Sequence, residues 1–126
     1  PFIASFIGSM NFIPATIDNS KKVKCKSIEI NCDPGSFNEN DSVQLAVRPE
    51  EIYFQQENQD DNVVSATIKE IEFLGSFQRV YFEAKSLTNE LIIVDVPSTS
   101  ARKIKLNIDE EMNLYFSKQD ARIYST

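Results

Sequence analysis

Several residue types that support chemistry are scarce or missing in this chain. Its 126 residues include no histidine, no tryptophan, three glycines and two cysteines. Without histidine, the usual serine and cysteine nucleophiles lack their general base. With glycine only at Gly8, Gly35 and Gly75, the phosphate-cradling pattern G-x-x-x-x-G-K-[ST] is absent. The sequence therefore excludes the common catalytic triads and a P-loop nucleotide site within this chain.

The two cysteines, Cys25 and Cys32, are too few for a zinc site, which needs four ligands. A disulfide between them would suit a secreted protein, but no signal peptide precedes them, so reduced thiols are favoured. No stretch approaches the roughly 18 apolar residues of a membrane-spanning helix. We therefore expect no metal, no cofactor and no direct membrane insertion.

Positive charge is also in short supply. Nineteen acidic residues against 13 basic ones give a net charge of −6, which argues against a nucleic-acid partner, since such proteins need a basic stripe. The lysines at 21–26 and the bases at 102–105 form short clusters that fit solvated strand faces. Carboxylates that are adjacent in sequence, at 50–51, 60–61 and 110–111, point apart on a strand, so they predict no acid–base pair.

Alternating apolar residues predict an all-β fold of about eight to ten strands with little helix. The strand at 43–47 ends before Pro49, which has no N–H for a sheet. The apolar parity shifts near Lys69 and Glu70, which predicts a β-bulge, and another shift near Ser27 predicts a bend or bulge. Gly75 and Ser76 predict a hairpin turn.

Further along the chain, residues 91–96 are almost continuously apolar, which predicts a central strand buried on both faces. Residues 104–108 alternate cleanly and predict an amphipathic strand, after a short helical turn at 98–103. The polar loop 55–62 is expected to be exposed and mobile. It could divide the chain into two small β-subdomains, although a shared core is favoured. No long internal repeat is visible.

Three motifs in order resemble the TOBE domain, a β-rich module at the C-terminus of many ABC importer ATPases. Residues 2–12 resemble F-[VI]-A-x-F-[IL]-G-x-x-N, residues 46–52 resemble V-R-P-E-x-[IL], and residues 72–81 resemble E-F-L-G-S-F-x-R-x-Y. The resemblance covers nearly the whole chain. It identifies Arg48, Pro49, Glu50, Phe73, Gly75, Phe77 and Arg79 as motif positions with mainly structural roles, and Phe6, Gly8, Asn11 and Phe12 as possible contacts with a preceding domain.

The resemblance implies a barrel of the oligonucleotide-binding type, named OB, in its TOBE or MOP-like form. It implies a non-catalytic regulatory and dimerisation domain of an importer's ATP-binding subunit, of the ferric iron, aminoethylphosphonate or spermidine/putrescine type. The implied partners are a second copy, the chain's own ATPase domain and a permease, at the cytoplasmic face of the membrane. Because the chain starts at Pro1 within the first motif, we expect a C-terminal piece whose ATPase domain, with its ATP and Mg²⁺, is absent.

Two alternatives stay open. A small-ligand sensor within the same fold would bind an oxyanion or solute, with Arg48, Arg79 and the lysines at 21–26 as donors. A free-standing oligonucleotide-binding protein would stack bases on Phe73, Phe77 and their neighbours Tyr81 and Phe82. Packing of these aromatic side chains in the core is favoured over stacking against nucleobases, because few Lys or Arg residues flank them.

Overall fold

The computed structural model describes residues 10–126, which form two five-stranded antiparallel sheets. A 3₁₀ turn (Pro49–Glu51) follows the fourth strand, and one short helix, α1 (Ser98–Ala101), follows the eighth. The ten strands are β1 (Asn11–Ile17), β2 (Val23–Cys25), β3 (Ile28–Ile30), β4 (Ser42–Val47), β5 (Ile52–Tyr53), β6 (Asn62–Phe73), β7 (Phe77–Glu83), β8 (Ile92–Pro97), β9 (Glu111–Phe116) and β10 (Arg122–Ser125). The all-β prediction is confirmed.

Each sheet takes its fifth strand from the other half of the chain. The first sheet has the order β10-β4-β1-β2-β3, and the second has the order β5-β9-β6-β7-β8. The early strand β5 therefore completes the late sheet, and the late strand β10 completes the early sheet. In each sheet, the two edge strands approach each other and leave a seam, so each sheet forms a nearly closed barrel of the OB type.

The register of the two sheets reveals an internal pseudo-twofold relation that the sequence did not show. Asn11 pairs with Val47 in the first sheet, and Asn62 pairs with Phe116 at the same place in the second. The 3₁₀ turn between β4 and β5 also has a counterpart between β9 and β10. There the N–H of Asp120 donates to the carbonyl of Ser117 at 3.2 Å. The two halves thus repeat one topology although their sequences have diverged.

Two buried asparagines at equivalent positions tie the barrels together. The side chain of Asn11 donates to the carbonyl of Ile93 at 2.8 Å and accepts from its N–H at 2.7 Å. The side chain of Asn62 does the same with Asn31, at 3.0 Å and 2.7 Å. Each amide therefore acts as a substitute peptide for the free edge of the other half's sheet, where an unpaired backbone group would be costly.

One hydrophobic cluster spans both sheets. Ile17 and Leu45 from the first sheet and Ile68, Phe82 and Leu114 from the second are all fully buried members of it. Burial of each such side chain contributes about 1.5–3 kcal/mol. The sheets consequently share a core.

The hairpin β6–β7 breaks the pseudo-twofold relation. The equivalent connection in the first sheet, between Ile17 and Val23, is five residues long, whereas residues 69–81 separate Ile68 from Phe82. The register shifts between Ile68 and Glu70, so the predicted bulge is confirmed. Beyond the bulge the hairpin extends past β9 and ends in a turn at Gly75, where φ is +82°.

Several sequence predictions were wrong in detail. Residues 91–96 do not form a central strand: β8 is an edge strand with one buried face, and Asp95 lies on its outer face. Residues 104–108 form no strand but an irregular segment, exposed except at Leu106, that leads to a turn bonded to Ile68. The parity shift near Ser27 is a hairpin turn between β2 and β3 rather than a bulge. The apolar patterns at 91–96 and 104–108 were present, but the neighbouring strands needed to complete the predicted pairing were not.

The aromatic side chains of the hairpin also differ from expectation. Phe82 is fully buried, but Phe73 is 76% exposed at the hairpin tip, and Phe77 and Tyr81 are half-buried on the outer face. The core-packing prediction therefore holds for Phe82 alone. Within residues 10–126, no helix has the length and apolar character required to cross a bilayer.

Candidate functional site

The seam between β5 and β8 holds a groove of about 940 Å³, which we call the aromatic groove. Its lining comes from the turn before β5, from β5 and the loop after it, from β7 and β8, and from α1 and the segment that follows it. The apolar lining residues are Ile52, Tyr53, Phe54, Phe77, Val96, Pro97 and Ile104, and the polar ones are Arg48, Glu50, Gln55, Glu57, Arg79, Asp95, Ser100 and Lys103.

The Arg-Pro-Glu motif forms one wall of the groove. Pro49 is buried and ends the ladder of β4, because it lacks an N–H. The N–H of Glu51 donates to the carbonyl of Arg48 at 2.9 Å, and the N–H of Arg48 donates to Glu51 Oε1 at 3.1 Å. The turn carries the chain from the first sheet into the second and leaves the side chains of Arg48 and Glu50 exposed at the groove.

An ion pair forms part of the floor. Arg79 Nε and Nη2 donate to Asp95 Oδ1 and Oδ2 at 2.8 Å and 2.9 Å, and the two side chains are 22% and 16% exposed. The hydrogen bond to Asp95 raises the pKa of Arg79. The guanidinium also lies 5.7 Å from the ring centre of Phe77, within range of a cation–π contact. The charge of Arg79 is therefore already balanced inside the protein.

The groove carries no excess of positive charge. Three cationic residues line it, and three carboxylates line it as well. Burial raises the pKa of Tyr53, with further contributions from the carboxylates of Asp120, Glu57, Glu51 and Asp61. Carboxylates therefore accompany the cationic groups at this wall, so the groove offers an oxyanion no concentrated positive charge.

The hairpin tip is fastened to the rim of the groove. Ser98, the first residue of α1, donates its hydroxyl to the carbonyl of Gly75 at 2.7 Å, and its N–H donates to Ser76 at 2.9 Å. On the hairpin's outer face, the hydroxyl of Tyr81 donates to the carboxylate of Glu72, and this bond raises the pKa of Tyr81. The motif at 72–81 therefore builds the extension of the hairpin.

The structure brings together four of the seven motif residues. Arg48, Glu50, Phe77 and Arg79 line the aromatic groove, whereas Pro49 is buried beneath the turn, and Phe73 and Gly75 lie at the exposed hairpin tip. Of the four possible interdomain residues, Asn11 is buried and bonded to Ile93, and Phe12 is 44% exposed beside it. Phe6 and Gly8 lie outside the described residues.

The sequence did not identify Asp95, Tyr53 or Lys103 as groove residues. Asp95 carried a signal, because it is the one charged residue in the apolar run 91–96. The lysines at 21–26, proposed as anion donors, do not line the aromatic groove. Lys22 pairs instead with Glu29 at 3.2 Å.

A second, smaller groove of about 610 Å³ lies at the equivalent seam of the first sheet, beside β10 and the segment after β3. Asp33, Lys118 and Arg122 contribute charge to it, and Phe37 is its one aromatic residue. Cys32 Sγ donates to the carbonyl of Ala121 at 3.2 Å across this seam. Among residues 10–126, no group of three or more Cys, Asp or Glu side chains is arranged to hold a metal ion.

A family model described as the TOBE domain matches residues 45–123. This chain belongs to the TOBE domain family. The matched range starts in β4 and ends in β10, so it includes the Arg-Pro-Glu turn, the long hairpin and both walls of the aromatic groove.

Two curated relatives of this TOBE domain are ATP-binding proteins of importers. The Fe(3+) ions import ATP-binding protein FbpC 2 of Rhizobium meliloti (strain 1021) is 24% identical over 135 residues, with 98% of this chain and 34% of the relative covered. The spermidine/putrescine import ATP-binding protein PotA of Malacoplasma penetrans (strain HF-2) is 26% identical over 125 residues, with 97% of this chain and 19% of the relative covered. The chain thus spans about a third of the first relative's length and about a fifth of the second's.

A solved structure shares the fold. The cytoplasmic molybdate-binding protein ModG, crystallised with molybdate bound, aligns with a TM-score of 0.70 over 92% of this chain and 96% of its own. The sequence identity is 10%, so the likeness establishes the OB-type fold and nothing finer.

Proposed function

We propose that this TOBE domain is a non-catalytic regulatory and dimerisation domain of the ATP-binding subunit of an ABC importer. The observation that carries the proposal is the match to importer ATP-binding proteins over almost the whole chain, by a domain that contains no P-loop sequence. The domain would support ATP-driven uptake by holding two subunits together while their ATPase domains open and close.

The groove supports a binding role rather than a chemical one. Arg79 and Asp95 are joined by two hydrogen bonds, and Tyr53 and Ile104 expose apolar surface within the groove, while Phe54 packs against the core. Apolar surface of this kind, with polar residues around it, is typical of a protein interface. In this proposal the partners are a second copy, the ATPase domain and, through the complete subunit, a permease at the cytoplasmic membrane face.

The test uses the complete subunit with and without residues 10–126. The intact subunit should stay dimeric both with ATP and after ATP is removed, because the domain holds the pair together. The truncated subunit should be dimeric only with ATP. A truncated subunit that remains dimeric without nucleotide would refute the proposed role.

Oxyanion sensing is the second candidate, because Arg48 and Arg79 line the same groove. The bond between Arg79 and Asp95 and the carboxylates around Tyr53 weigh against it. Calorimetric titration with phosphate, a phosphonate and molybdate tests this candidate. Saturable heat that disappears in Arg48→Ala would support it, and no heat with all three would exclude it.

A further inference from the structure

Two loops of opposite charge meet at the aromatic groove. The acidic loop, consisting of Glu57, Asp60 and Asp61, contributes Glu57 to the lining. The basic segment, consisting of Arg102, Lys103 and Lys105, contributes Lys103. All three bases are exposed, and within residues 10–126 no ion pair joins either loop to an oppositely charged side chain. Glu57, Asp60 and the three bases are thus available to a partner, whereas the carboxylate of Asp61 is engaged with the backbone of its own loop.

The acidic loop is held in a defined shape. Asp61 Oδ2 accepts the N–H groups of Glu57 and Asn58, each at 2.9 Å, and these bonds lower the pKa of Asp61. The side chain of Gln56 donates to the carbonyl of Asn58 at 2.9 Å. These bonds form a turn from which Glu57 and Asp60 present their charge. Such preorganisation lowers the entropy cost of binding.

Between the two charged loops lies exposed apolar surface. Tyr53 is 40% exposed and Ile104 is 36% exposed, and both line the groove beside Phe54 and Phe77. An apolar, aromatic centre with a charged margin is the usual anatomy of a protein–protein interface.

We infer that the aromatic groove is the surface on which a second copy of this domain docks, with the basic segment of each copy against the acidic loop of the other. The inference rests on the dimerisation proposed above and names its surface. In a twofold dimer, every contact between two different patches is made twice. Loops of opposite charge beside one groove are therefore self-complementary, whereas a partner of a single sign would match only one of them.

A charge-swap experiment tests the inference, with the dimer dissociation constant of the 126-residue chain measured by sedimentation velocity. The first variant, R102E/K103E/K105E, should weaken self-association by at least about tenfold, because like charges then face each other. The second variant, E57K/D60K, should do the same. An equimolar mixture of the two should restore association to within about threefold of the unmodified chain, since each altered loop then meets its complement.

The matched control is K21E/K24E/K26E, which changes three exposed lysines outside the groove and produces the same net charge as the first variant. It should associate like the unmodified chain. If the control and R102E/K103E/K105E weaken association equally, overall repulsion is responsible and the inference is overturned.

The remaining outcomes separate the inference from the proposed function. If both groove variants still form the dimer, docking at the aromatic groove is refuted and dimerisation itself is not. If the unmodified chain is monomeric at every concentration, docking at the groove and dimerisation are both refuted. Hydrogen exchange at Tyr53 and Lys103 supplies a second readout. Protection that rises with protein concentration supports a second copy as occupant, and protection that does not change with concentration rules it out.

Discussion

The substitution Asn62→Ala removes one of the two amide links between the barrels. The side chain of Asn62 is 5% exposed and makes two hydrogen bonds to the peptide groups of Asn31, at 2.7 Å and 3.0 Å. Its loss would leave the N–H and the carbonyl of Asn31 without these partners. The substitution therefore tests whether this link contributes to the stability of the fold.

The expected cost follows from these two bonds. Each contributes about 1 kcal/mol net, and an unsatisfied peptide group that water reaches only in part adds about 0.5 kcal/mol or more. We expect the free energy of unfolding to fall by about 2–3 kcal/mol. Because Asn11 makes the equivalent pair of bonds to Ile93, Asn11→Ala should cost a similar amount, within about 1 kcal/mol.

Urea denaturation, followed by circular dichroism, measures these changes from the shift in midpoint at constant slope. Asn113→Ala is the matched control, since this asparagine also lies in a strand but is exposed, and it should change stability by less than about 0.5 kcal/mol. A loss below about 0.5 kcal/mol for Asn62→Ala would refute the reasoning, because the two bonds would then contribute nothing beyond what water supplies.

Three further predictions concern the core, the hairpin and the thiols. Phe82→Ala should cost about 3–5 kcal/mol in urea denaturation, whereas Phe73→Ala at the exposed tip should cost less than about 0.5 kcal/mol; equal losses would contradict the burial of the two rings. Gly75→Ala should cost about 1–2 kcal/mol from the strain of φ +82° alone, since no atom lies within 4 Å of the added methyl group, and a neutral effect would contradict this turn. Burial raises the pKa of Cys25 from 9.0 to about 12 and that of Cys32 to about 11, so unfolded thiols ionise before folded ones and stability should fall as the pH rises above about 9. Rapid native reaction with a thiol reagent at pH 8 would contradict this burial.

Local patterns predicted the features whose cause is local. The bulge near Lys69 follows from the apolar parity of a single strand, and the turn at Gly75 follows from the conformational freedom of glycine. The end of β4 follows from the missing N–H of Pro49. Each of these could be derived from a few neighbouring residues.

Features that depend on distant partners could not be derived in this way. The run 91–96 looked like a central strand, but its place at an edge depends on Asn11, which lies 82 positions from Ile93 and substitutes for a neighbouring strand. The exchange of β5 and β10 between sheets is likewise a property of the whole chain. The pseudo-twofold relation is not visible in the sequence, because strand order and register are repeated while the side chains are not.

The aromatic groove also combines features that local sequence predicts with features that depend on distant residues. The Arg-Pro-Glu motif indicated Arg48 and Glu50, and both line the groove. The sequence alone allowed Arg79 to be an anion ligand, but in the structure Asp95 on the neighbouring strand is bonded to it. Residue motifs locate the wall of a site, whereas the charge balance of that site requires the residues on the other strands.

Sedimentation equilibrium of the 126-residue chain tests the central claim, that this domain forms a dimer, most directly. The account predicts a mass that rises with concentration towards twice the 14.3 kDa of one chain and does not exceed it. A mass that stays at that of one chain at the highest concentration reached would contradict the claim.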